Sequence, residues 1–452
     1  MNLDTPTGSD RPKLPPGFRP RRGLNWGIIG LMYTSYYLCR YNFSLANKSI
    51  ADEFHFTKSD MSSIIAAQLM AYAIGQIING LLTDRIGGKR AMLIGAAGTI
   101  TMNLLFGAAS FWGMLWLFVV LRSIDGYMQA FGAPGFIKIN AAWFSKTERG
   151  TFAGIFGFMI NLGRIGIFKL GPMLLGGFVF IGMWHVPPLH WRWLFWIPAG
   201  IATIVAICLA IWVKDTPEQA GYAEVHAGEE DHSNVDVRSE ILVVFKKIVS
   251  NPAVWIIALA YSCTGAVRQC IDQWFPRYLQ EVQHLDMSAP QFQWTGALIP
   301  IVASAGSLLS GIISDRLFDG RRAPVASAIY FIEVVVILLA AQARSVNAVV
   351  ISFIVISFTV NSTHSLLGPA AAMDIGGRKM AGFASGIIDS FQYFGASVAL
   401  KMLGWLLDKN WDYYFYFMAP FGIFGGLLMF FIRNRNISST QPSDPGRLER
   451  RT

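Results

Sequence analysis

Long apolar stretches alternate with short polar ones along the whole chain. Runs of about 20 apolar residues match the length of a helix that crosses a hydrocarbon core. They predict spans near 24–46, 61–83, 90–110, 112–142, 150–182, 191–213, 252–279, 290–314, 323–343, 346–373, 380–407 and 412–432. A backbone in lipid must satisfy its own hydrogen bonds, so the expected architecture is all-α, with 12 transmembrane helices. The rhythm breaks once: "HAGEEDHSNVDVRSE", 226–240, is polar and acidic and reads as a solvated linker. The expected organisation is a tail over 1–23, a six-helix bundle over 24–213, a linker over 214–250, a second six-helix bundle over 251–432, and a tail over 433–452.

Composition agrees with this pattern. The chain is 53% hydrophobic and 14% charged, against about 25% charged residues in soluble domains. Its 44 glycines suit helices that pack closely in lipid. The net charge of +9 could suggest a polyanionic partner. Instead the basic residues gather in alternate loops: Arg19/Arg21/Arg22, Arg85/Lys89/Arg90, Lys146/Arg149, Lys246/Lys247, Arg316/Arg321/Arg322, Arg378/Lys379 and Arg433/Arg435. The positive-inside rule explains that distribution and puts both termini and the linker in the cytoplasm. Residues 1–22 are polar, Pro-rich and basic, unlike a cleaved leader, so the first apolar run is expected to be a true span. The expected location is the cell (inner) membrane, as a monomer with the bilayer and a small anion for partners and no nucleic acid. Cys39, Cys208, Cys263 and Cys270 form no CxxC pair, and no nucleophile–base set or phosphate-cradling glycine loop appears. No enzyme activity, metal or cofactor is therefore expected.

The two halves repeat. "GLLTDRIGGKR", 80–90, and "GIISDRLFDGRR", 311–322, share G-x-x-x-D-R followed by basic residues. Gly80, Asp84 and Arg85 in the first half correspond to Asp315 and Arg316 in the second, an expected conformational loop motif. Arg40 and Arg268 occupy nearly the same place on the first helix of each half.

A charge at mid-membrane costs about 2.5–3.5 kcal/mol on insertion scales, so it must face protein, water or a ligand. Tyr33, Tyr36, Tyr37 and Arg40 share one helical face, as do Gln68, Tyr72, Gln76, Asn79 and Thr83. Tyr261, Thr264, Arg268 and Asp272 form a third face, and Ser385, Asp389, Gln392/Tyr393, Ser397 and Lys401 a fourth. Asn161, Arg164 and Lys169 lie on the fifth span. Such stripes can also simply hold helices together. Arg122 with Asp125 is expected to be a structural pair, and Arg268 could pair with Asp272. Arg40 has no acid in its own span. Two arginines at duplicated places predict one central anion site, because a guanidinium forks onto paired oxygens. One unit pair at 4 Å contributes about 4 kcal/mol at an effective dielectric near 20. Asp389 and Glu333 are intramembrane acids, with Asp389, Lys169 and Asp272 as candidates for coupling or ion pairing. Asp389 would find a base in Arg164 or Lys401. "WHVPPLHWRW", 184–193, reads as an interfacial loop with Trp anchors. His364 is a further candidate for facing a ligand.

These residues resemble a known family. "YTSYYLCRYNFSLA" (33–46), "GYMQAFGAPGFIKINAAWFSKTERG" (126–150), "KDTPEQAGY" (214–222) and "QWFPRYLQEVQHL" (273–285) are similar to segments of the organophosphate:phosphate antiporters of the major facilitator superfamily. The resemblance runs over roughly 28–432. It implies that fold's two pseudo-symmetric six-helix bundles, alternating access, and exchange of a phosphate ester for inorganic phosphate. It also implies that Arg40 and Arg268 bind the phosphoryl group, with Tyr33, Tyr37, Tyr72 and Tyr393 nearby. Two positions depart from the family: a lysine of the glycerol-phosphate members is Gln76, and a histidine is Ile160, beside a retained Asn161. Arg164 and Lys169 could restore the missing charge. A proton-coupled symporter of a carboxylate, sugar acid or phosphonate, and a membrane sensor of sugar phosphates, are the alternatives on the same fold.

Overall fold

The computed structural model describes residues 15–144, 146–180, 183–222, 250 and 252–434, and their side chains except for 146–156, 180 and 369–385. The acidic stretch 226–240, Lys246, Lys247 and Arg435 lie outside the described residues.

The first half contains α1 (Phe18–Phe54), α2 (Lys58–Ile86), α3 (Gly88–Ala109), α4 (Leu115–Gln129), α5 (Gly132–Trp143), α6 (Lys146–Gly176) and α7 (Trp193–Trp212). The second contains α8 (Pro252–Glu281), α9 (Pro290–Leu317), α10 (Arg322–Gln342), α11 (Val346–Ser365), α12 (Ala371–Lys409) and α13 (Tyr413–Ile432). Among the described residues, nine helices are long and apolar enough to cross a membrane. The outer surface is apolar, with Ile204, Leu308, Leu339 and Phe431 among its exposed side chains, while charges and amides turn inward. That is the arrangement hydrocarbon imposes.

Four boundaries differ from expectation. The fourth span is two helices, because Pro134 offers no N–H to the Ala130 carbonyl and the chain slips a residue between α4 and α5. The fifth span stops at Gly176: Gly177 takes φ +80°, and β1 (Phe178–Phe180) pairs antiparallel with β2 (Trp184–Val186). α1 begins at Phe18, so Arg19, Arg21 and Arg22 are already helical. α11 passes through a π turn, Leu366–Ala370, directly into α12, so the loop expected around Arg378 and Lys379 is helix. The Trp-rich stretch is also more than a surface anchor. Trp191 Nε1 donates to Glu53 at the end of α1, and His190 and Arg192 lie 3.1 and 3.3 Å from that carboxylate. Partial burial, then Arg192, push the His190 imidazole below its ordinary pKa, with Glu53 opposing them.

The duplication inferred from the loops is visible in the packing. Thr34 on α1 donates to the Met159 carbonyl of α6 at 2.9 Å, and Ser262 on α8 donates to the Phe391 carbonyl of α12 at 2.9 Å. Each contact has a glycine one turn on: Gly163 against the Thr34 backbone and Gly395 against the Ser262 backbone.

The two halves meet along α2–α12, α6–α9 and α1–α8. At the end where α1 hands over to α2, the junction is dense. Thr57 and Asp60 form a capping box at the start of α2, and Asp408 of α12 accepts from Lys58 N and Ser59 N at 2.7 and 3.1 Å. Glu281 accepts from Arg277 and Trp411 at 2.6 and 2.9 Å and lies 3.6 Å from Lys58, while Arg277 reaches Asn47 at 2.8 Å. Ser397 donates to the Ala66 carbonyl at 2.7 Å.

A side chain at Gly395 would meet the Ser262 backbone, and overpacking of this kind costs about 1–3 kcal/mol. Gly395→Ala should lower the melting temperature of the detergent-purified protein, read by intrinsic fluorescence. An unchanged melting temperature would mean that α8 and α12 are not in such close contact.

Candidate functional site

A cavity of about 240 Å³ lies between the bundles. The first half contributes Tyr33 and Tyr37 from α1, Tyr72 and Gln76 from α2, and Asn161 and Arg164 from α6. The second contributes Arg268 from α8, Ser304 and Ser307 from α9, Asn361 and His364 from α11, and Asp389 and Tyr393 from α12. Seven helices therefore supply polar groups that sequence spacing alone could only assign to separate faces.

Arg40 stands one layer behind this wall. Its guanidinium lies over the rings of Tyr72 and Tyr37, 4.3 and 4.9 Å from their centroids, and its Nε donates to Gln129 Oε1 at 2.8 Å. Gln129 Nε2 in turn donates to both Asp125 oxygens, at 2.9 and 3.0 Å. Arg122 holds Asp125 at 2.9 Å and donates to the Cys39 and Arg40 carbonyls at 3.2 and 2.6 Å. The Arg122–Asp125 pair is thus structural, as expected, and it braces the backbone that presents Arg40. Cation–π contact with two tyrosines keeps Arg40 solvated by protein while leaving only a side-chain layer between it and the cavity.

Arg164 does line the cavity, but its charge is committed. It is 1% exposed and pairs with Asp272 of the other bundle. Tyr41 Oη donates to the second Asp272 oxygen at 3.2 Å, and the Tyr41 ring faces the Arg164 guanidinium at 5.1 Å. Arg268, for which Asp272 one turn on was the alternative to a ligand, lies 3.9 Å from it, beyond a direct hydrogen bond. Lys169 is not in the cavity: it is exposed, above the Trp294 ring at 5.6 Å and 3.5 Å from Gln293, so it restores no charge to the site.

The second half's wall is a connected polar cluster. Arg268 Nη1 lies 3.5 and 3.4 Å from the two ring nitrogens of His364, and Tyr261 Oη is 2.6 Å from His364 Nδ1. Tyr261 also donates to Asp389 Oδ1 at 3.2 Å, and Gln76 Nε2 donates to Asp389 Oδ2 at 3.1 Å across the bundles. Asp389 therefore pairs with neither Arg164 nor Lys401; the latter donates to Ser63 near the α1–α2 end. Asn161 donates to Ser304 at 2.6 Å, a second bridge between the halves. Tyr72 and Tyr393 meet across them with ring centroids 4.5 Å apart and planes tilted by 57°. Glu333 is buried behind α13, 3.8 Å from where a Gly422 side chain would sit, and away from the cavity.

The sequence profile of the Major Facilitator Superfamily matches residues 29–400 and again 283–451. The chain belongs to that superfamily. It is 29% identical to the glycerol-3-phosphate transporter of Bacillus subtilis, over 85% of this chain and 86% of that protein. It is 28% identical to the membrane sensor protein UhpC of Escherichia coli, over 90% of each. It is 27% identical to a probable hexose phosphate transport protein of Chlamydia trachomatis, over 86% of this chain and 85% of that one. A solved structure of a bacterial homologue of the human lysosomal transporter Spinster, inward-facing and unoccupied, has the same fold. Its TM-score is 0.73 at 14% identity, covering 94% of this chain and 99% of that one.

In this major facilitator protein the repeated loop motif sits at the ends of α2 and α9. Asp84 and Arg85 are exposed in the last turn of α2, and Lys138 of α5 donates to the Asp84 carbonyl at 2.5 Å. Gly80 has open space beside it, whereas Gly87 takes φ +90° to turn the chain into α3. Asp315 lies 3.9 Å from Arg322, and Arg316 is exposed. The residue that fixes this loop was not foreseen: Asp215, in "KDTPEQAGY", accepts from Lys89 N at 2.6 Å at the start of α3. Gln129, Tyr41 and Asp408 were also missed. Their roles depend on partners far away in sequence, although Tyr41 directly follows Arg40 and could have been suspected for that.

Removing one partner of a buried ion pair costs about 3–5 kcal/mol, since the other charge is stranded. Asp272→Asn should lower the melting temperature of the detergent-purified protein markedly, and Arg164→Met added to it should recover most of the loss. A double variant no more stable than the single would refute the pairing.

Proposed function

We propose that the protein is a secondary active transporter that exchanges a small phosphate ester for inorganic phosphate by alternating access. The observation that carries this reading is the arrangement of Arg268 and Arg40. Arg268 faces the cavity from the second half, and Arg40 is held at the equivalent place in the first, behind Tyr37 and Tyr72. A phosphoryl group offers paired oxygens to both forks, and the tyrosine hydroxyls and His364 can serve the remaining oxygens. A rotation of the two tyrosine side chains would let Arg40 reach the ligand. The names of the relatives, a glycerol-3-phosphate transporter and a probable hexose phosphate transport protein, agree with this chemistry.

The bundles 24–213 and 251–432 rock about the site, with 214–250 as a cytoplasmic linker. The cross-bundle bonds among the described residues run from the cavity to the α1–α2 end. With the basic loops in the cytoplasm, that end faces outward in the inner membrane, and both termini face inward. The protein works as a monomer and needs no nucleic acid. A second reading, a membrane sensor of sugar phosphates, has one observation in its favour: the similarity to UhpC extends over 90% of the chain. A sensor would bind phosphate esters without exchanging them.

Losing a hydrogen bond to a charged group costs about 1.5–3 kcal/mol, and a lysine cannot reproduce the guanidinium fork. Arg40→Lys and Arg268→Lys should each cut phosphate counterflow in proteoliposomes roughly 10-fold or more, with protein levels in the membrane unchanged. Full exchange by both variants would refute the assignment, and binding without exchange by the wild type would favour the sensor.

A further inference from the structure

The cavity holds one charge that anion binding does not use. Asp389 lines it, and its two described partners, Tyr261 and Gln76, are neutral donors. Among the described residues no cationic side chain lies within 4.0 Å of its carboxylate. The other acids near the centre are matched: Asp125 by Arg122, and Asp272 by Arg164. A carboxylate offers about four acceptor positions, so Asp389 keeps capacity for further donors on its cavity side.

Arg268 gives the same cavity its opposite pole. The carboxylate nearest to Arg268 is Asp272, whose oxygens are already engaged by Arg164 and Tyr41. Between Arg268 and Asp389 stand His364 and Tyr261, which link the two and hold them apart. The site therefore presents on one wall a cation whose nearest carboxylate stands 3.9 Å away and is engaged by other partners, and a carboxylate with no cationic side chain within 4.0 Å among the described residues, separated by a polar spacer. A ligand that is only an anion would satisfy the first and leave the second facing it. Like-signed charges so close, out of bulk water, repel by an amount comparable to the attraction that binds the phosphoryl group. A ligand with its own cation at a short distance from its anion satisfies both.

We propose that the substrate is a small zwitterion, an ammonium group joined by a short alkyl chain to a phosphate or phosphonate, with Asp389 as the partner of the ammonium. This rests on the reading of the cavity as a phosphoryl site and specifies what the rest of the ligand must carry. Its volume, about 240 Å³, suits so small a compound. The neutral amide of Gln76 is a necessary part of the arrangement: a cation at that position would neutralise Asp389 from the protein side and remove the demand for one on the ligand.

The test compares phosphoethanolamine and aminoethylphosphonate with propyl phosphate and propylphosphonate, which replace the ammonium by a methyl group of similar size. Glycerol-3-phosphate, whose hydroxyls could use the same carboxylate oxygens, is the third class. Binding is read as ligand-induced thermal stabilisation of the purified full-length protein, and as competition with labelled phosphate in counterflow. The ammonium compounds should bind roughly 10-fold or more tightly than their methyl analogues, as a charged hydrogen bond warrants. Asp389→Asn should bring the ratio close to one, and Asp389→Glu should retain most of it. Equal binding of propyl phosphate and phosphoethanolamine by the wild type, tighter binding of glycerol-3-phosphate, or a preference that survives Asp389→Asn would overturn the proposal. If inorganic phosphate binds but the ammonium confers no advantage, the phosphoryl site stands and only this inference falls. If no phosphoryl compound binds or exchanges, both fall. The wild-type comparison decides the matter even if the variants do not fold.

Discussion

Hydrocarbon does not solvate a guanidinium group, and the interior of this protein is organised around that fact. Its buried arginines are satisfied differently, Arg277 by Glu281 and Asn47 at the α1–α2 end. Arg122 has a carboxylate and two backbone carbonyls. Arg40 has an amide oxygen and the faces of two tyrosines. Arg164 has a carboxylate on the opposite bundle. Arg268 has an imidazole and open cavity. Arg122 and Arg164 are neutralised by carboxylates, whereas the neutralisation of Arg40 and Arg268 is incomplete. The incomplete ones lie where a mobile anion can complete them, so the constraint that shapes the fold also defines the site.

The same groups join the two bundles. Arg164–Asp272, Tyr41–Asp272, Asn161–Ser304 and Gln76–Asp389 each take one partner from either half. A change at the cavity therefore reaches the interface directly, because Gln76, Asn161, Arg164, Ser304 and Asp389 belong to both. Short polar bridges suit this task better than an apolar seam would. In lipid an apolar interface gains little from burial, whereas a hydrogen bond either has its partner or lacks it.

Much of this was legible in the chain. The spans follow from apolar run length, since lipid permits few alternatives to a continuous helix. Arg40 and Arg268 stood out because the loop motifs fixed the register of the duplication, and Arg122 and Asp125 because they are one helical turn apart. What was not legible depends on geometry between bundles. Asp272 takes Arg164, from a different half, in preference to Arg268 one turn before it. Asp389 takes Gln76 and Tyr261, although Arg164 and Lys401 were available on paper. A residue's own helix limits which way it faces, but the approach of a second helix decides what it meets. The break between α4 and α5 was readable in part from Pro134; the merging of α11 into α12 was not, because a basic pair there looked like any other loop.

The contact at Asp408 has an evolutionary corollary. Its donors are the backbone amides of Lys58 and Ser59, which any residue but proline provides. For these two bonds the sequence requirement therefore rests on Asp408 alone, on the other bundle. The two donors lie in one half and the acceptor in the other, so this contact joins the duplicated halves through a single side chain.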